Sequence, residues 1–236
     1  MLVHMKRTLT PELMDDPDLD PREHHRALAG LARLNRLSRA ADILWPTVRG
    51  CAERNGGSVS LLDLATGSGD LPIELGRRAR KAGISLSLSA CDISQTALDV
   101  VKHRAADASL DIDCFVHDII QSPISQSGPY DLVTCSLFLH HLDDASAVTL
   151  LRHAASACSG TLLVSDLRRD RVGLILAWVS SRLFTRSHIV HIDAVKSVHA
   201  AFTPQEMRQF ANEAGLQEAN IRSAFPRRML LSWSPS

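Results

Sequence analysis

Between residues 58 and 233 the chain alternates short apolar runs with longer stretches in which apolar residues recur at helical spacing. Short apolar runs bounded by turn residues are typical of buried strands, and a period near 3.6 residues is typical of amphipathic helices. The predicted strands are 59–64, 85–91, 112–116, a run from 130 that leads into a loop ending near 142, 160–167, 219–224 and 228–233. The predicted helices are 71–82, 95–106, 144–158 and 204–214. This alternation predicts an α/β fold with an open, doubly wound sheet.

The N-terminal part has a different pattern. Residues 1–22 are acidic and contain several prolines, which predicts an irregular lead-in. A helical pattern then runs from 22 to about 54, and Pro46 is expected to break or kink it. The apolar positions that define this pattern are Leu28, Leu31, Leu34, Leu37, Ala41, Leu44, Trp45 and Val48. We therefore expect a lead-in with helices over 1–57, followed by an α/β domain over 58–236.

Residues 168–201 form an insertion between the predicted strand 160–167 and the helix that starts near 204. The segment begins with three arginines in four residues and continues with the apolar run 172–179, so it is too apolar for a plain surface loop. Three interpretations stay open: a lid over an acceptor, an interfacial helix, or a subunit contact that would make the protein a homodimer.

Composition and charge narrow the class of protein. The chain has 236 residues, is 45% hydrophobic and balances 26 basic against 26 acidic residues, so it can form a real core and nothing demands a polyanionic partner such as nucleic acid. The five cysteines contain no pair at zinc-ligand spacing, which predicts free, mostly buried thiols in a reducing compartment. The N-terminus lacks an apolar signal sequence and no run is long enough to span a membrane, so we expect a cytoplasmic protein.

The most informative stretch is Thr66-Gly67-Ser68-Gly69, which directly follows the first predicted strand. Glycines at the carboxyl end of a strand let backbone N–H groups approach a ligand beside a helix N-terminus. A dinucleotide-binding turn requires a third glycine three residues later, but Pro72 occupies that position. Asp63 lies inside the strand, and a carboxylate there suits a ligand with an ammonium group better than one with two phosphates.

This stretch resembles motif I of the class I S-adenosylmethionine (SAM)-dependent methyltransferases. The resemblance extends over 58–233 and implies a Rossmann-like, mostly parallel sheet with a terminal antiparallel hairpin, an N-terminal helical lid, and SAM as cofactor. Asp92 ends the second strand, where it would bind the ribose, and Asp118 follows the third strand, where it would face the adenine. The implied cofactor-binding residues are Asp63, Ala65, Gly67, Gly69, Asp92, Ile93, Asp118, Ile119 and Ser136. An aspartate that only caps a turn is the alternative for Asp92 and Asp118.

Histidines are the candidate bases. Leu139-His140-His141-Leu142 resembles the loop that lines the methyl-transfer site of small-molecule methyltransferases. His140 and His141 have two interpretations: a general base near the methyl group, for which His140 is the stronger candidate, or packing and helix-capping residues. His188, His191, Asp193 and His199 lie in the insertion, and a His-Asp pair there, with His191 or His199 as the base, is a second candidate. Their spacing matches no zinc pattern, so we expect no metal.

The acceptor is less defined. The fourth strand lacks the Asn/Asp-Pro-Pro-Tyr/Phe signature of amino-directed DNA and protein methylation. The lead-in 11–28, together with Leu34-Asn-Arg-Leu-Ser, resembles that of small bacterial methyltransferases associated with type III polyketide synthases. This resemblance implies a phenolic, quinone or other polyketide-derived acceptor and favours O-methylation. Three alternatives stay open: a quinone-type C-methyltransferase, an RNA or protein methyltransferase that uses the arginine clusters, and a SAM-binding subunit without turnover.

Overall fold

A computed structural model describes residues 5–15, 19–20, 22–23, 26–27, 30, 33–34, 40–124 and 128–235. Its strands are β1 Ser58–Leu64, β2 Ser85–Asp92, β3 Ile112–Val116, β4 Tyr130–Ser136, β5 Cys158–Leu167, β6 Asn220–Ala224 and β7 Arg228–Trp233. They form one sheet with the order β3-β2-β1-β4-β5-β7-β6. The first five strands pair in parallel, whereas β7 lies antiparallel to both β5 and β6. The predicted α/β class, parallel sheet and antiparallel terminal hairpin are confirmed.

Helices flank this sheet on both faces. The α-helices that lie entirely within the described ranges are α1 Ala40–Arg54, α2 Asp70–Ala82, α3 Gln95–Asp107, α4 Asp144–Ser156, α5 Arg171–Phe184, α6 His188–Ala200 and α7 Pro204–Glu213. Short 3-10 turns occur at Leu13–Asp15 and Leu139–His141. No helix in the described ranges combines the length and the apolar character that crossing a membrane would need.

Alternating strand residues divide the core into two layers. Leu61 belongs to the hydrophobic cluster that joins α1, α2 and α3 to one face of the sheet. Its neighbour Leu62 belongs to the cluster that joins α4 and α7 to the other face. Successive side chains of a strand point to opposite faces, so a strand buried on both sides must be apolar at nearly every position. This explains why adjacent positions are apolar in both central strands, at Leu61 and Leu62 in β1 and at Leu132 and Val133 in β4.

The predicted element bounds agree with the structure to within two residues, and Thr203 forms the capping box that starts α7. The largest differences, of two residues, occur where two elements meet: the predicted helix 144–158 ends at Ser156, and the predicted strand 160–167 begins at Cys158. Pro46 lies inside α1, which continues to Arg54. The insertion consists of the two helices α5 and α6.

The N-terminal prediction is only partly covered by the described ranges. Leu28, Leu31 and Leu37 lie outside them, whereas the described residues at 22–23, 26–27, 30 and 33–34 are helical. Helix α1 packs in the same hydrophobic cluster as β1 and α2. The boundary at residue 57 thus separates elements that share a core, and the division into a lid segment and a SAM-binding domain stays a prediction.

Candidate active site

A cavity of about 1060 Å³ lies at the carboxyl edge of the parallel strands. The glycine turn after β1 and the first turns of α3 line one side of it, and the loop after β4 lines the next. Helices α5 and α6 and the turn between β6 and β7 close the other side. The insertion therefore covers the space between the glycine turn and the histidine loop. Its lining is mostly apolar, as in sites that take a lipophilic small molecule.

The glycine turn has the backbone conformation that its sequence predicts. Gly67 and Gly69 have φ angles of 54° and 73°, which lie in the left-handed region that favours glycine. A Cβ on Gly69 would lie only 2.9 Å from Cγ1 of Val101 in α3, so this glycine also permits close packing of α3. Gly67 itself lines the cavity. Because Gly67 has no side chain, its backbone forms part of the cavity wall beside the N-terminus of α2.

Asp92 ties the glycine turn to the end of β2. Its Oδ2 accepts a hydrogen bond of 2.8 Å from the backbone N–H of Gly67, and its Oδ1 accepts one of 3.0 Å from Ser94. A carboxylate has about four lone-pair sites, so these two bonds leave acceptor capacity. Ile93 follows as one of the more exposed apolar residues of the chain, with 69% of its surface accessible. The end of β2 therefore presents a held carboxylate beside an exposed apolar side chain.

Asp63 is buried behind the turn and accepts hydrogen bonds from two hydroxyls. These come from Thr66 at 2.8 Å and Thr134 at 2.6 Å. Burial raises the pKa of Asp63 to about 6, although the two hydroxyl bonds oppose this shift. Asp63 is absent from the described cavity lining, whereas Thr66 is part of it. Ala65, between them, has a φ of 50° and belongs to the same tight turn.

The other predicted cofactor residues are held in three different ways. Asp118 accepts hydrogen bonds from the backbone N–H groups of Ile120 and Gln121, so it caps the turn after β3. Ile119 is buried, and its carbonyl lies 2.7 Å from the ring Nδ1 of His153. The Ser136 hydroxyl accepts a hydrogen bond of 2.9 Å from the buried Arg228. The capping role of Asp118 is thus present in the structure, and its adenine role stays a prediction.

His140 forms a buried pair with Asp166. Its ring Nδ1 lies 2.7 Å from Asp166 Oδ1, and its backbone N–H donates to Asp166 Oδ2 at 3.0 Å. A carboxylate at this distance assigns the proton to Nδ1 and leaves the Nε2 lone pair for the cavity that His140 lines. Burial alone lowers the pKa of His140, but Asp166, together with Glu12, outweighs burial and raises this pKa above its ordinary value. The geometry is that of a base oriented by a carboxylate.

Two further groups surround the His140 ring. The ring centroid of His141 lies 4.2 Å from that of His140, and a Glu12 carboxylate oxygen lies 3.9 Å from His140 Nε2. Loss of solvation and the adjacent His140 lower the pKa of His141 to about 4, so His141 is neutral near pH 7. Glu12, His140 and His141 each bring one potential ligand atom within 4.8 Å of the others, a spacing that would hold a cation. Glu12 also accepts a hydrogen bond from Ser197 on α6.

The histidines of the insertion do not line the cavity as a His-Asp pair, which was the second candidate for the base. The ring Nε2 of His191 lies 2.9 Å from the backbone carbonyl of Thr185. The Asp193 carboxylate accepts hydrogen bonds from the backbone N–H groups of Leu13 and Met14. Neither His191 nor His199 belongs to the described cavity lining. The His-Asp pair that faces the cavity is His140 with Asp166, and the catalytic roles predicted for His191 and His199 stay predictions.

Several residues of this site were not predicted from the sequence. Asp166 lies near the carboxyl end of β5, and the adjacent parallel strands β4 and β5 put its carboxylate beside the loop after β4. Arg104 of α3 donates to the Ser68 carbonyl and pairs with Asp70, both at 2.6 Å, and so fixes the glycine turn. Glu12 gave no signal, because only the tertiary fold brings the lead-in to the histidine loop.

Comparison with known proteins defines the class. A family profile described as a methyltransferase domain matches residues 61–159, from β1 to the start of β5. The plantazolicin methyltransferase BpumL, solved in complex with a triazolic desmethylPZN analog and S-adenosylhomocysteine, shares the fold with a TM-score of 0.66 at 16% identity. The match covers 91% of this chain and 90% of that chain. A putative O-methyltransferase from Nostoc punctiforme PCC 73102 has a TM-score of 0.63 at 17% identity over 89% of this chain and 60% of its own. These matches show a methyltransferase domain over residues 61–159 and, together with the sheet order and the glycine turn, the fold of SAM-dependent methyltransferases.

Curated relatives are similar to this chain at low identity. The ubiquinone biosynthesis O-methyltransferase of Bordetella pertussis is 23% identical over 180 residues, which cover 75% of this chain and 71% of the relative. The enzyme of the same name from Xanthomonas axonopodis pv. citri is 26% identical over 167 residues, which cover 68% and 64%. The narrower resemblance to methyltransferases associated with type III polyketide synthases stays a prediction.

Proposed function

We propose that this protein transfers the methyl group of SAM to a hydroxyl group of a small, lipophilic, aromatic acceptor. One observation carries the proposal: a continuous apolar cavity connects the glycine turn, where SAM would bind, with the buried His140–Asp166 pair. The O-methyltransferase names of the curated relatives support an oxygen acceptor. The His140–Asp166 pair would accept the proton that a hydroxyl acceptor loses on methylation.

In the proposed complex, the chain binds the cofactor along the ends of β1, β2 and β3. The Gly67 backbone would approach the cofactor, and Asp92 would accept from the ribose hydroxyls with its remaining lone pairs. The exposed Ile93 would pack on the adenine face, beside the turn that Asp118 caps. Asp63 would act on the cofactor's ammonium group through Thr66, which separates it from the cavity.

The proposed reaction is an in-line displacement. SAM carries an electrophilic methyl group, so the protein mainly has to align donor and acceptor. The acceptor oxygen forms the new bond to the methyl carbon while the carbon–sulfur bond breaks. The electron pair of the broken bond stays on sulfur, which gives S-adenosylhomocysteine. The hydroxyl proton passes to Nε2 of His140, and Asp166 stabilises the resulting imidazolium.

Calorimetry with SAM and S-adenosylhomocysteine tests the cofactor site. We expect micromolar binding to the wild type and its loss in Asp92→Ala, whereas Asp107→Ala, at an exposed aspartate of α3, should bind like wild type. The proteins are then incubated with SAM and a panel of alkyl phenols and catechols, and products are analysed by mass spectrometry. An O-methyl ether supports the proposal. Exclusive C-methylation, methylated RNA or protein, or cofactor binding without turnover of any acceptor would each replace it with one of the alternatives.

A further inference from the structure

Helix α5 separates the cavity from the surface of the molecule. Ala177 and Ser180 lie on its inner side and line the cavity, and Gly173 is buried against the start of the insertion. The side chain of Asp170 caps the helix N-terminus by accepting from the Gly173 N–H at 2.6 Å. The inner face and the N-terminal cap therefore hold the helix in place, and its outer face takes no part in the cavity.

The outer face of α5 is apolar. Exposed residues recur at steps of three to five along the helix, with Ile175 61% exposed, Trp178 52% and Leu183 71%. Val172 and Val179 are further exposed apolar residues of the helix, and Leu176 is exposed where the helix borders the cavity. Such a stripe normally packs on a core, yet here it faces outward along the whole length of the helix.

An exposed apolar residue outside α5 continues this surface. Phe225, at the turn between β6 and β7, is 73% exposed. The neighbouring Arg227 lies against the first turns of α5, since a Cβ on Gly173 would be 3.8 Å from the Cβ of Arg227. Phe225 and α5 both border the cavity. The apolar surface thus surrounds one side of the cavity mouth.

The charges around this surface have one predominant sign. Helix α5 contains Arg171 and Arg182 and no acidic residue, and Arg186 lies two residues beyond its last residue, Phe184. The guanidinium of Arg182 lies 4.3 Å from the ring centroid of Trp178. The acidic residue at the N-terminal cap, Asp170, is already bonded to Arg168 at 2.9 Å. An apolar stripe with Trp and a basic border is typical of helices that lie in the interface of an anionic membrane.

We propose that the outer face of α5, with Phe225, docks on an anionic lipid bilayer surface. A second copy of the chain is the less suitable occupant, because a symmetric contact through this helix would place arginines against arginines with no acidic partner on α5. A bilayer accepts the apolar side chains into its interface and pairs the arginines with lipid phosphates. Docking in this orientation places the cavity mouth next to the lipid, but it does not depend on which acceptor the enzyme methylates.

Vesicle sedimentation tests the proposal. The cofactor-free full chain is mixed with phosphatidylcholine vesicles that contain or lack phosphatidylglycerol, at low and high salt. We expect binding to anionic vesicles that weakens with salt, and an affinity lowered roughly tenfold or more in Ile175→Glu and in Leu183→Glu. Val116→Glu adds the same charge at an exposed apolar residue of β3 and should bind like wild type. Circular dichroism and melting temperature verify that each variant folds.

Fluorescence supplies an independent measurement. Trp178 should enter the interface, so its emission shifts to shorter wavelength with anionic vesicles, and this shift disappears in Trp178→Phe. Absence of vesicle binding by the folded wild type would overturn the proposal. Equal binding by wild type and Ile175→Glu would also overturn it. So would a concentration-dependent dimer that Ile175→Glu abolishes, since the face would then be a subunit contact. Each of these readouts leaves the methyl-transfer proposal untouched.

Discussion

At the scale of single residues, the site depends on where three carboxylates lie. Asp166 contacts His140, Asp63 accepts from two threonines, and Asp92 accepts from Gly67. All three lie at or near the carboxyl ends of strands, yet their surroundings differ. Asp166 has its pKa lowered because His140 outweighs the effect of burial, whereas burial dominates for Asp63 and raises its pKa. Different environments thus assign different protonation behaviour to the same side chain.

Asp166→Asn tests the proposed base. His140 must be neutral to accept a proton, and its raised pKa places the acidic limb of kcat/KM above the ordinary histidine value of 6.5. Removal of the carboxylate should move this limb to lower pH and reduce kcat/KM by roughly 100-fold or more. The control is His141→Asn, which should leave the limb in place because the pKa of His141 is about 4. A limb that does not move in Asp166→Asn would contradict the assignment.

Asp63→Asn tests the buried carboxyl. Because the folded-state pKa of about 6 exceeds the ordinary value of 3.8, the folded protein binds this proton more tightly than the unfolded chain. Stability should therefore fall as pH rises from 4 to 6 and stay level above. Asp63→Asn should remove this slope and raise the free energy of unfolding at pH 8 by up to about 3 kcal/mol. Urea unfolding of both proteins at several pH values measures the free energy of unfolding and its dependence on pH. A variant less stable than wild type at pH 8 would mean that the hydroxyl bonds outweigh burial.

Metal dependence can be tested directly at the group formed by Glu12, His140 and His141. The sulfonium of SAM activates the methyl group without a Lewis acid, so we expect the same methyl-transfer rate with and without EDTA. Activity assays after dialysis against EDTA provide the measurement. A loss of activity that a divalent cation restores in wild type, but not in Glu12→Gln, would contradict this expectation.

At the scale of elements, the turn from β1 into α2 combines two demands on glycine. Gly67 has positive φ but open space around it, whereas Gly69 has positive φ and Val101 within 2.9 Å of the position that a Cβ would take. The sequence pattern predicts the same role for both glycines. Their packing differs, because of the two only Gly69 lies in contact with α3 and allows its close approach.

Gly67→Ala and Gly69→Ala form a matched pair. Gly67→Ala should cost about 1 kcal/mol of stability from backbone strain. Gly69→Ala should cost a further 1–3 kcal/mol or so because its methyl group overpacks Val101. Thermal unfolding of both variants without ligand provides the measurement. Equal destabilisation would mean that α3 shifts to relieve the contact.

At the scale of the whole molecule, the lead-in segment holds the histidine loop to the insertion. Arg7 donates to the Ala200 carbonyl at the end of α6 and to the Leu142 carbonyl after the histidine loop, and it pairs with Asp144 at 3.0 Å. Its guanidinium lies 3.8 Å from the ring centroid of Phe202. One side chain thus links three elements that are distant in sequence.

Arg7→Ala should lower stability by about 2 kcal/mol, since it leaves the partly buried carbonyl groups of Ala200 and Leu142 without this donor. Because the same groups hold the loop that carries His140, kcat should fall more than cofactor affinity. Lys6→Ala, at the exposed neighbouring residue, is the control and should behave like wild type. Thermal unfolding and SAM calorimetry together distinguish this result from a general loss of structure, in which cofactor affinity would fall equally.

The amino-acid sequence by itself determined the α/β class, most element bounds, the glycine turn and the free cysteines, which the described chain places mostly in buried positions. These features depend on local periodicity, turn residues and strand-end positions, all of which are properties of short segments. Tertiary structure decided which groups meet. The pairing of His140 with Asp166 follows from the adjacency of β4 and β5, and the approach of Glu12 to the same ring follows from the path of the lead-in. Contacts between distant segments depend on how complete elements pack, so periodicity does not contain them. The same reason explains α5, whose apolar run was visible in the sequence, whereas only the packed fold shows that one face lines the cavity and the other faces outward.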